Sequence, residues 1–132
     1  MRFALALHTD DGTAYSVAVP DLPGCFSAGA SLDEAIEMAR EAIDAHCELL
    51  AEDGVDVAPA QPLAVHQANA ELAGAVWAVV DVPVERYFGP AEKINITVPG
   101  RVLARIDAFA RRHGESRSGF LVRAAQQVMR TP

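Results

Sequence analysis

The sequence predicts an α+β fold in two parts, on three observations. Residues 2–30 contain short stretches in which apolar side chains alternate with small or polar ones, as they do in β-strands. A long amphipathic stretch follows, as expected for a helix that covers one face of a sheet. Residues 92–132 show a separate pattern of one strand and two helices. The composition, 51% hydrophobic and 22% charged, is that of a globular protein and argues against disorder, collagen and coiled coil.

The first two strands are predicted to form an antiparallel hairpin. Apolar residues alternate over residues 2–8, and they alternate again over residues 15–19 after a turn that contains Gly12. Residues 20–24 include two prolines, which end the second strand because proline cannot donate a hydrogen bond to a β-ladder. Residues 25–30 are then long enough for a third strand or a sheet edge.

A long helix is predicted to begin at Ser31. Ser31 and Glu34 have the spacing of a capping box, which satisfies free backbone N–H groups at a helix start. Apolar residues then recur at helical spacing up to Asp53-Gly54: Leu32, Ile36, Ala39, Ile43 and Leu50. The opposite face has an acidic stripe: Glu37, Glu41, Asp44, Glu48 and Glu52. Such a stripe is most often a solvated helix face, and the alternative is a docking surface for a basic partner.

The remainder of the first part predicts one short helix and one more strand. Residues 63–72 suit the helix, and the nearly continuous apolar run 75–82 predicts a buried strand. We therefore expect a mainly antiparallel sheet with the long helix on one face. Residues 83–91 are predicted to be a linker between an acidic α+β domain over 1–82 and a second domain over 92–132.

No pattern in the first part predicts catalysis or a metal site. Asp10 and Asp11 lie in the hairpin turn, where aspartate is common because it hydrogen-bonds locally, so an acid–base or metal-binding pair is the less favoured interpretation. Cys25 and Cys47 have neither the pattern of a disulfide framework nor the spacing of a zinc site. His66 has no partner for metal binding near it in the sequence.

Charge divides the chain in two. Residues 1–90 have fifteen acidic and three basic side chains, a net charge of −12, whereas residues 91–132 have three acidic and eight basic ones, a net charge of +5. The net charge of −7 over the whole chain would repel nucleic acid if it were evenly spread. The reversal predicts that any contact with nucleic acid is made by the C-terminal part.

The C-terminal part predicts a dimer built on a shared strand. Residues 93–98 alternate polar and apolar side chains, and two amphipathic helices follow, the second capped by Ser116. So small a unit cannot bury all its apolar faces, so it must dimerise, with its strand paired antiparallel to that of a second copy. The polar face of this ribbon is Lys93, Asn95 and Thr97. Asparagine can pair with adenine and lysine with guanine in the major groove, so these side chains are predicted to read DNA bases.

This pattern resembles the ribbon-helix-helix DNA-binding domain of the Arc and MetJ class. The resemblance rests on residues 93–98, the helix after them and the turn Gly114-x-Ser116-Arg117-Ser118. It implies that the ribbon reads bases and that the amides opening the second helix hold a phosphate. Ser116, Arg117 and Ser118 are therefore expected at a DNA phosphate, which the positive end of the helix dipole favours independently. The alternative is that the polar strand face and the arginines only keep the dimer soluble.

Nearly the whole chain resembles the HicB family of type II antitoxins. Four segments show this resemblance: Tyr15-Ser16-Val17, Pro20-Asp21-Leu22-Pro23-Gly24-Cys25, Gly29-x-Ser31-Leu32-x-Glu34-Ala35 and Leu50-x-Glu52-Asp53-Gly54. The resemblance implies an N-terminal domain like a truncated ribonuclease H fold, which covers a small basic mRNA-cleaving toxin, HicA. It also implies a C-terminal domain that binds the operon's own operator. Residues 2–8 hold no carboxylate and no spaced set of Asp and Glu follows to bind two metals, so nuclease activity is not expected.

We therefore predict a bifunctional antitoxin and autorepressor without enzyme activity. Its toxin contacts are predicted at four acidic residues of the long helix: Glu37, Glu41, Asp44 and Glu48. Its partners are operator DNA, a HicA-like toxin and a second copy of the chain, with dimers able to join into tetramers. The apolar start of the chain is too short for a signal-peptide core or a membrane span, so we expect a cytoplasmic protein without a cofactor.

Two alternatives to the antitoxin remain. A stand-alone transcription regulator would use the acidic domain to sense a ligand or to assemble dimers into tetramers. A residual RNA-processing enzyme would depend on Asp10 or Asp11, and the missing carboxylates disfavour it.

Overall fold

The computed structural model describes residues 1–130, which form two compact units, Met1–Pro90 and the chain from Ala91 onward. Two 3-10 turns, Ala70–Leu72 and Val84–Phe88, belong to the first unit. Its strands and helices are β1 (Arg2–His8), β2 (Tyr15–Ala18), β3 (Phe26–Gly29), α1 (Leu32–Glu52), α2 (Leu63–Gln67) and β4 (Val76–Asp81). The second unit contains helices α3 (Gly100–Arg112) and α4 (Arg117–Arg130). No helix within residues 1–130 is long and apolar enough to cross a membrane.

The first unit is built on a four-stranded antiparallel sheet in the order β3-β2-β1-β4. β1 and β2 form the predicted hairpin, with Ala6 opposite Ala18. β3 is the predicted third strand and lies at the sheet edge beyond β2. Residues 63–72 form α2 and the first 3-10 turn, where a short helix was expected. The predicted α+β class and the antiparallel sheet are confirmed.

The core of this unit lies between the sheet and α1. Phe3, Leu5 and Leu7 point to the same side of β1, because alternate residues of a strand share a face, and all three are fully buried. Ile43 and Cys47 of α1 are fully buried in the same cluster. These contacts hold the helix against one face of the sheet, as predicted.

Gly29, at the end of β3, sets how closely α1 approaches the sheet. A Cβ atom at this position would come within 2.3 Å of the backbone nitrogen of Ala35 and 2.6 Å of its Cα. Protein interiors are packed too densely to absorb such an overlap without moving backbone. A residue without a side chain is therefore needed where the sheet edge meets the first turn of the helix.

Helix α1 begins as predicted but buries a partly different stripe. The Ser31 hydroxyl accepts a hydrogen bond from the Glu34 backbone N–H at 3.2 Å, which confirms the predicted N-cap. The predicted core residue Leu32 is 38% exposed. The buried residues of the helix are Ala35, Ala39, Ile43 and Cys47. Small side chains allow a close approach to the sheet, which favours Ala35 and Cys47 at this contact.

The prediction that residues 75–82 form a buried strand holds only in part: the strand forms, and Val80 and Val82 are buried, but other residues of it are exposed. β4 is an edge strand paired with β1, and its residues Val76 and Val79 are 45% and 46% exposed. An apolar run shows that side chains are suited to burial, but it does not show that a second layer is present to bury them.

The predicted linker 83–91 is partly folded. Val84–Phe88 forms a 3-10 turn, in which Val84 is buried and Tyr87 packs against the core of the first unit. Two apolar side chains within the segment explain this, because their burial stabilises the turn against α1. The segment without regular structure before α3 therefore begins only after Phe88.

The second unit is a hairpin of two helices, as predicted. Helix α3 is followed by Gly114, whose φ of +68° is the left-handed conformation that glycine adopts without strain. In the same turn the Glu115 backbone N–H donates to the Ala110 carbonyl oxygen at 2.8 Å. The rings of Phe109 and Phe120 meet with their centroids 5.3 Å apart and join the two helices.

The predicted strand over residues 93–98 is not formed in the single chain. The described part of the second unit offers no other strand to pair with, and an unpaired strand has no ladder to satisfy its backbone groups. Ile94 and Ile96, predicted to face the core of a dimer, are 75% and 58% exposed. The paired ribbon, and the dimer that would contain it, stay predictions.

Candidate functional site

The residues predicted to read DNA bases lie in an exposed segment of the second unit. Lys93, Asn95 and Thr97 are exposed, and so are Ile94 and Ile96 on the other parity. The single chain therefore does not divide this segment into a buried and an open face. Base reading by the three polar residues stays a prediction.

An apolar groove of about 600 Å³ lies open between α3 and α4. Both helices line it with the apolar stripes predicted for them: Val102, Ile106, Phe109, Phe120 and Ala124. Among the described hydrophobic residues of this unit, only Ala110 is buried. One chain therefore leaves the apolar faces of both helices open at this groove.

Ser116 caps helix α4. Its hydroxyl oxygen accepts a hydrogen bond from the Gly119 backbone N–H at 3.0 Å, and the hydroxyl of Ser118 lies 3.4 Å from it. The first amides of any α-helix have no partner within the helix and give its N-terminal end a positive potential. The structure thus brings two of the three predicted phosphate residues together at one electropositive helix end.

Arg117, the third predicted phosphate residue, is held by Asp107. Its Nε donates to Asp107 Oδ1 at 2.9 Å and its Nη2 donates to Oδ2 at 2.8 Å, the fork geometry of a strong arginine–carboxylate pair. The hydrogen bonds from Arg117, and then its charge, hold the pKa of Asp107 below its usual value, and the same contacts raise the pKa of Arg117. No sequence pattern pointed to Asp107, because ten residues and a turn separate the partners.

A second ion pair links the turn between the two helices to α4. Arg123 Nε lies 2.9 Å from Glu115 Oε1, and the guanidinium of Arg123 also stacks over the ring of Phe120 at 5.6 Å. Arg112 lies over the ring of Phe109 at 6.0 Å. Arg112 and Arg123 thus have contacts within the chain.

The acidic face of α1 comprises the four residues predicted to contact a toxin: Glu37, Glu41, Asp44 and Glu48. Glu37, Glu41 and Glu48 are exposed, whereas Asp44 is half-buried. The face is therefore open to a partner at three of its four carboxylates.

Asp44 is engaged within the first unit. The Tyr87 hydroxyl donates to Asp44 Oδ1 at 2.5 Å, and Arg86 Nη2 donates to the same carboxylate oxygen and, at 2.9 Å, to the Tyr87 hydroxyl oxygen. The hydrogen bond from Tyr87, with the charge of Arg86, lowers the pKa of Asp44. Burial, with the hydrogen bond to Asp44, raises the pKa of Tyr87 to about 12. Arg86 already supplies the cation that a basic partner would bring to this carboxylate.

A buried pair ties down residues 20–25, the most distinctive segment of the sequence. Asp21 Oδ1 lies 2.9 Å from His66 Nε2 and accepts a hydrogen bond from the Gln61 backbone N–H at 3.0 Å. The side chains of Asp21 and His66 are 4% and 7% exposed. Within residues 1–130, Asp21 Oδ2 is a buried oxygen without a hydrogen-bond partner. His66 has no partner in local sequence because 45 residues separate it from Asp21.

Asp11, Cys25 and Cys47, the other residues considered for catalysis or metal binding, have the surroundings of structural residues. Asp11 Oδ1 accepts hydrogen bonds from the backbone N–H groups of Thr13 and Ala14 at 2.9 and 3.1 Å, which lower its pKa to about 2 and confirm its role in the turn. Burial raises the pKa of the free thiols of Cys25 and Cys47. Within residues 1–130, no three His, Cys, Asp or Glu side chains form a group that could hold a metal ion.

Comparison with known proteins adds an independent finding. A family model described as "HicB_like antitoxin of bacterial toxin-antitoxin system" matches residues 3–125. An uncharacterized 14.9 kDa protein from the rep-hol intergenic region of Haemophilus phage HP1 is 45% identical over 113 residues, 84% of this chain and 85% of the phage protein. The crystal structure of the antitoxin HicB of Burkholderia pseudomallei has 46% identity and a TM-score of 0.70, and covers 95% of this chain and 96% of that one. The crystal structure of antitoxin HicB3 has 27% identity and a TM-score of 0.74, with 96% of each chain covered.

Proposed function

The chain belongs to the HicB-like antitoxin family of bacterial toxin–antitoxin systems, and on that basis we propose that it neutralises a HicA-like, mRNA-cleaving toxin and represses its own operon. The observation that supports this most is the division of one chain into an acidic unit with a closed core and a basic unit with an open apolar groove. The acidic unit suits a basic, RNA-binding partner, and the basic unit suits a symmetric DNA-binding dimer. Both roles are binding roles, for which the chain needs no catalytic site or cofactor of its own.

The acidic face of α1 is proposed to dock the toxin. A protein that cleaves mRNA must attract phosphates, so it presents cationic groups that a negative surface can steer and occupy. Glu37, Glu41 and Glu48 are exposed and available for such contacts. Asp44 contributes less than the other three, since Arg86 and Tyr87 already bind it. The first unit, like a truncated ribonuclease H fold, would in this way cover the toxin's active site.

The second unit is proposed to bind the operator as a ribbon-helix-helix dimer. Pairing residues 93–98 with those of a second copy would satisfy both unpaired backbones and turn Ile94 and Ile96 toward the helices. Lys93, Asn95 and Thr97 would then share the outer face of a two-stranded ribbon, which fits the major groove. The open groove between α3 and α4 supports this, because it offers apolar surface that a second copy can cover.

The start of α4 is proposed to hold a DNA phosphate on each side of the ribbon. Ser116 and Ser118 lie together there, and the free amides of the first helical turn favour an anion. Dimers are proposed to form through the second unit and to join into tetramers. The place of action is the cytoplasm, where both the operator and the mRNA targeted by the toxin are found.

Co-expression tests the antitoxin role. The chain is produced together with the product of the neighbouring short reading frame for a small basic protein, and complex formation is measured by affinity purification. We expect the two proteins to copurify and the toxicity of the small protein to disappear. The E37Q/E41Q/E48Q variant should lose copurification without losing its fold.

The second candidate function is a stand-alone ribbon-helix-helix regulator. The internal pairing of Asp44 with Arg86 favours it, because an acidic face partly neutralised within its own unit suits a structural surface. Failure to copurify, with toxicity unchanged, would favour this regulator over the antitoxin.

A further inference from the structure

We propose that Asp107 restrains Arg117 and thereby lowers the affinity of the second unit for DNA. This inference rests on the DNA-binding role proposed above and adds a regulatory residue to the same phosphate site. Asp107 binds the Arg117 guanidinium through two hydrogen bonds of 2.9 and 2.8 Å. Arg117 is the first residue of α4, the helix whose start is proposed to meet a phosphate. A side-chain anion and a DNA anion therefore compete for one cation.

The geometry of the pair favours competition over simultaneous binding. Arginine holds carboxylates and phosphates best through two parallel N–H groups of its fork. The fork made by Nε and Nη2 of Arg117 is the one that Asp107 occupies. Arg117 can present this fork to a phosphate only after the pair with Asp107 opens, and a phosphate that approaches the remaining N–H groups on Nη1 meets the negative charge of Asp107.

The exposure of the pair allows it to open. The side chains of Arg117 and Asp107 are 56% and 32% exposed, so solvent and ions reach both partners. Ion pairs in such surroundings are only weakly favourable, because water and salt screen the attraction. A DNA phosphate with its high local charge can compete with one carboxylate under these conditions. In the closed pair, Asp107 also cancels the charge that Arg117 would contribute to long-range attraction.

The same unit offers a matched comparison in Glu115 and Arg123. This pair also joins a carboxylate to a guanidinium of α4, at 2.9 Å and with similar exposure, although Glu115 lies in the turn before α4 and not in α3. Arg123, however, lies seven residues beyond Ser116 and borders the apolar groove instead of the start of α4. Neutralising Glu115 therefore makes the same change in net charge without releasing Arg117.

The experiment measures the salt dependence of DNA binding by the full-length D107N protein. Asparagine has the size of aspartate but is uncharged, and it has only one side-chain oxygen in place of the two that accept hydrogen bonds from Arg117. Fluorescence anisotropy follows binding to a duplex from the region upstream of the gene, and to an unrelated duplex of equal length, between about 50 and about 200 mM salt. For a dimer in which both arginines are released, we expect the plot of log K against log salt to steepen by up to about 1.8. Lowering the salt across this range should then strengthen binding by up to roughly tenfold more than in the wild type.

Three further variants test whether the gain comes from Arg117. The E115Q protein should keep a slope close to that of the wild type, although its net charge is the same as that of D107N. The D107N/R117Q protein should lose the gain. D107S is a second substitution of Asp107 and should change the slope in the same direction as D107N. Circular dichroism measures whether each variant keeps the helix content of the wild type.

The outcomes separate this inference from the proposed function. If the wild type binds both duplexes with a salt dependence, and D107N binds equally or more weakly, Asp107 does not restrain Arg117 and the inference is overturned. An equal gain in E115Q would overturn it as well, because general charge would then explain the effect. If the wild type binds neither duplex, the DNA-binding role itself fails.

Discussion

The two units of the chain bury their apolar residues in different ways. In the first unit Phe3, Leu5, Leu7 and Ile43 are fully buried, so one chain closes its own core. In the second unit a groove of about 600 Å³ stays open, and among its described hydrophobic residues only Ala110 is buried. The first unit therefore draws its stability from its own chain, whereas the proposed dimer would add stability to the second unit in a way that depends on protein concentration.

The largest effect is expected from emptying the closed core. Leu5→Ala removes a fully buried side chain and should lower the free energy of unfolding of the first unit by about 2–5 kcal/mol, through lost burial and the cavity left behind. Val79→Ala, on the same sheet but 46% exposed, is the matched control and should cost about 0.5 kcal/mol. Urea unfolding followed by the fluorescence of Trp77 measures both. Similar losses in the two variants would contradict a closed core beneath α1.

The next largest effect is expected at the buried contact between Asp21 and His66 in the first unit. Asp21→Ala leaves the His66 ring buried without its hydrogen-bond partner and should lower the free energy of unfolding by about 1–3 kcal/mol. Asp81 forms an exposed pair with Arg2 at 3.2 Å, so Asp81→Ala serves as the control and should cost about 0–1 kcal/mol. Thermal unfolding monitored by circular dichroism gives both values. If the two substitutions cost the same, the Asp21–His66 contact does not hold residues 20–25 in place.

In the second unit, substitutions at the neighbouring residues Ile96 and Asn95 test the proposal that they lie on opposite faces of the ribbon. Ile96→Ala should weaken dimerisation, measured by sedimentation over a dilution series, because it removes apolar surface from the proposed ribbon. Asn95→Ala should leave the dimer intact and lose about 1–3 kcal/mol of discrimination between operator and unrelated DNA, measured by competition binding. Equal loss of dimerisation in both variants would contradict the assigned faces.

The smallest effect is expected on the stability of the first unit at alkaline pH. Both tyrosines of the chain, Tyr15 and Tyr87, lie in that unit. The pKa of Tyr87 is raised from 10.0 to about 12, so the folded chain holds this proton more tightly than the unfolded chain does. Its contribution to stability is complete below pH about 10 and is lost as the pH rises toward about 12. Melting temperatures at pH about 9 and about 11 should converge more in Tyr87→Phe than in the wild type. An unchanged pH dependence in that variant would mean that Tyr87 is not held in this partly buried, hydrogen-bonded position in solution.

Features that depend on neighbouring residues could be predicted from the sequence. Strands β1 and β2 follow from the alternation of side chains, and the start of α1 follows from Ser31 and Glu34, three residues apart. The stripes of α3 and α4 were predictable for the same reason, because helical spacing alone places Phe109 and Phe120 on apolar faces.

Features that depend on distant residues could not be predicted. Asp21 meets His66 across 45 positions and Asp44 meets Tyr87 across 43, and no local pattern joins either pair. The exposure of β4 depends on whether a further layer covers it, which its own sequence does not determine. Residues 93–98 have the pattern of a strand, but a strand needs a second one to pair with.

The close contact at Gly29 also limits which genetic variants of this chain can persist. Any amino-acid substitution at this position adds at least a methyl group against backbone atoms of Ala35, which belong to a helix and cannot move alone. The flanking residues Ala28 and Ala30 are exposed and have room for larger side chains. In a library randomised at residues 28–30 and sorted for well-expressed chains, glycine should therefore be retained at position 29, whereas positions 28 and 30 should accept many residues.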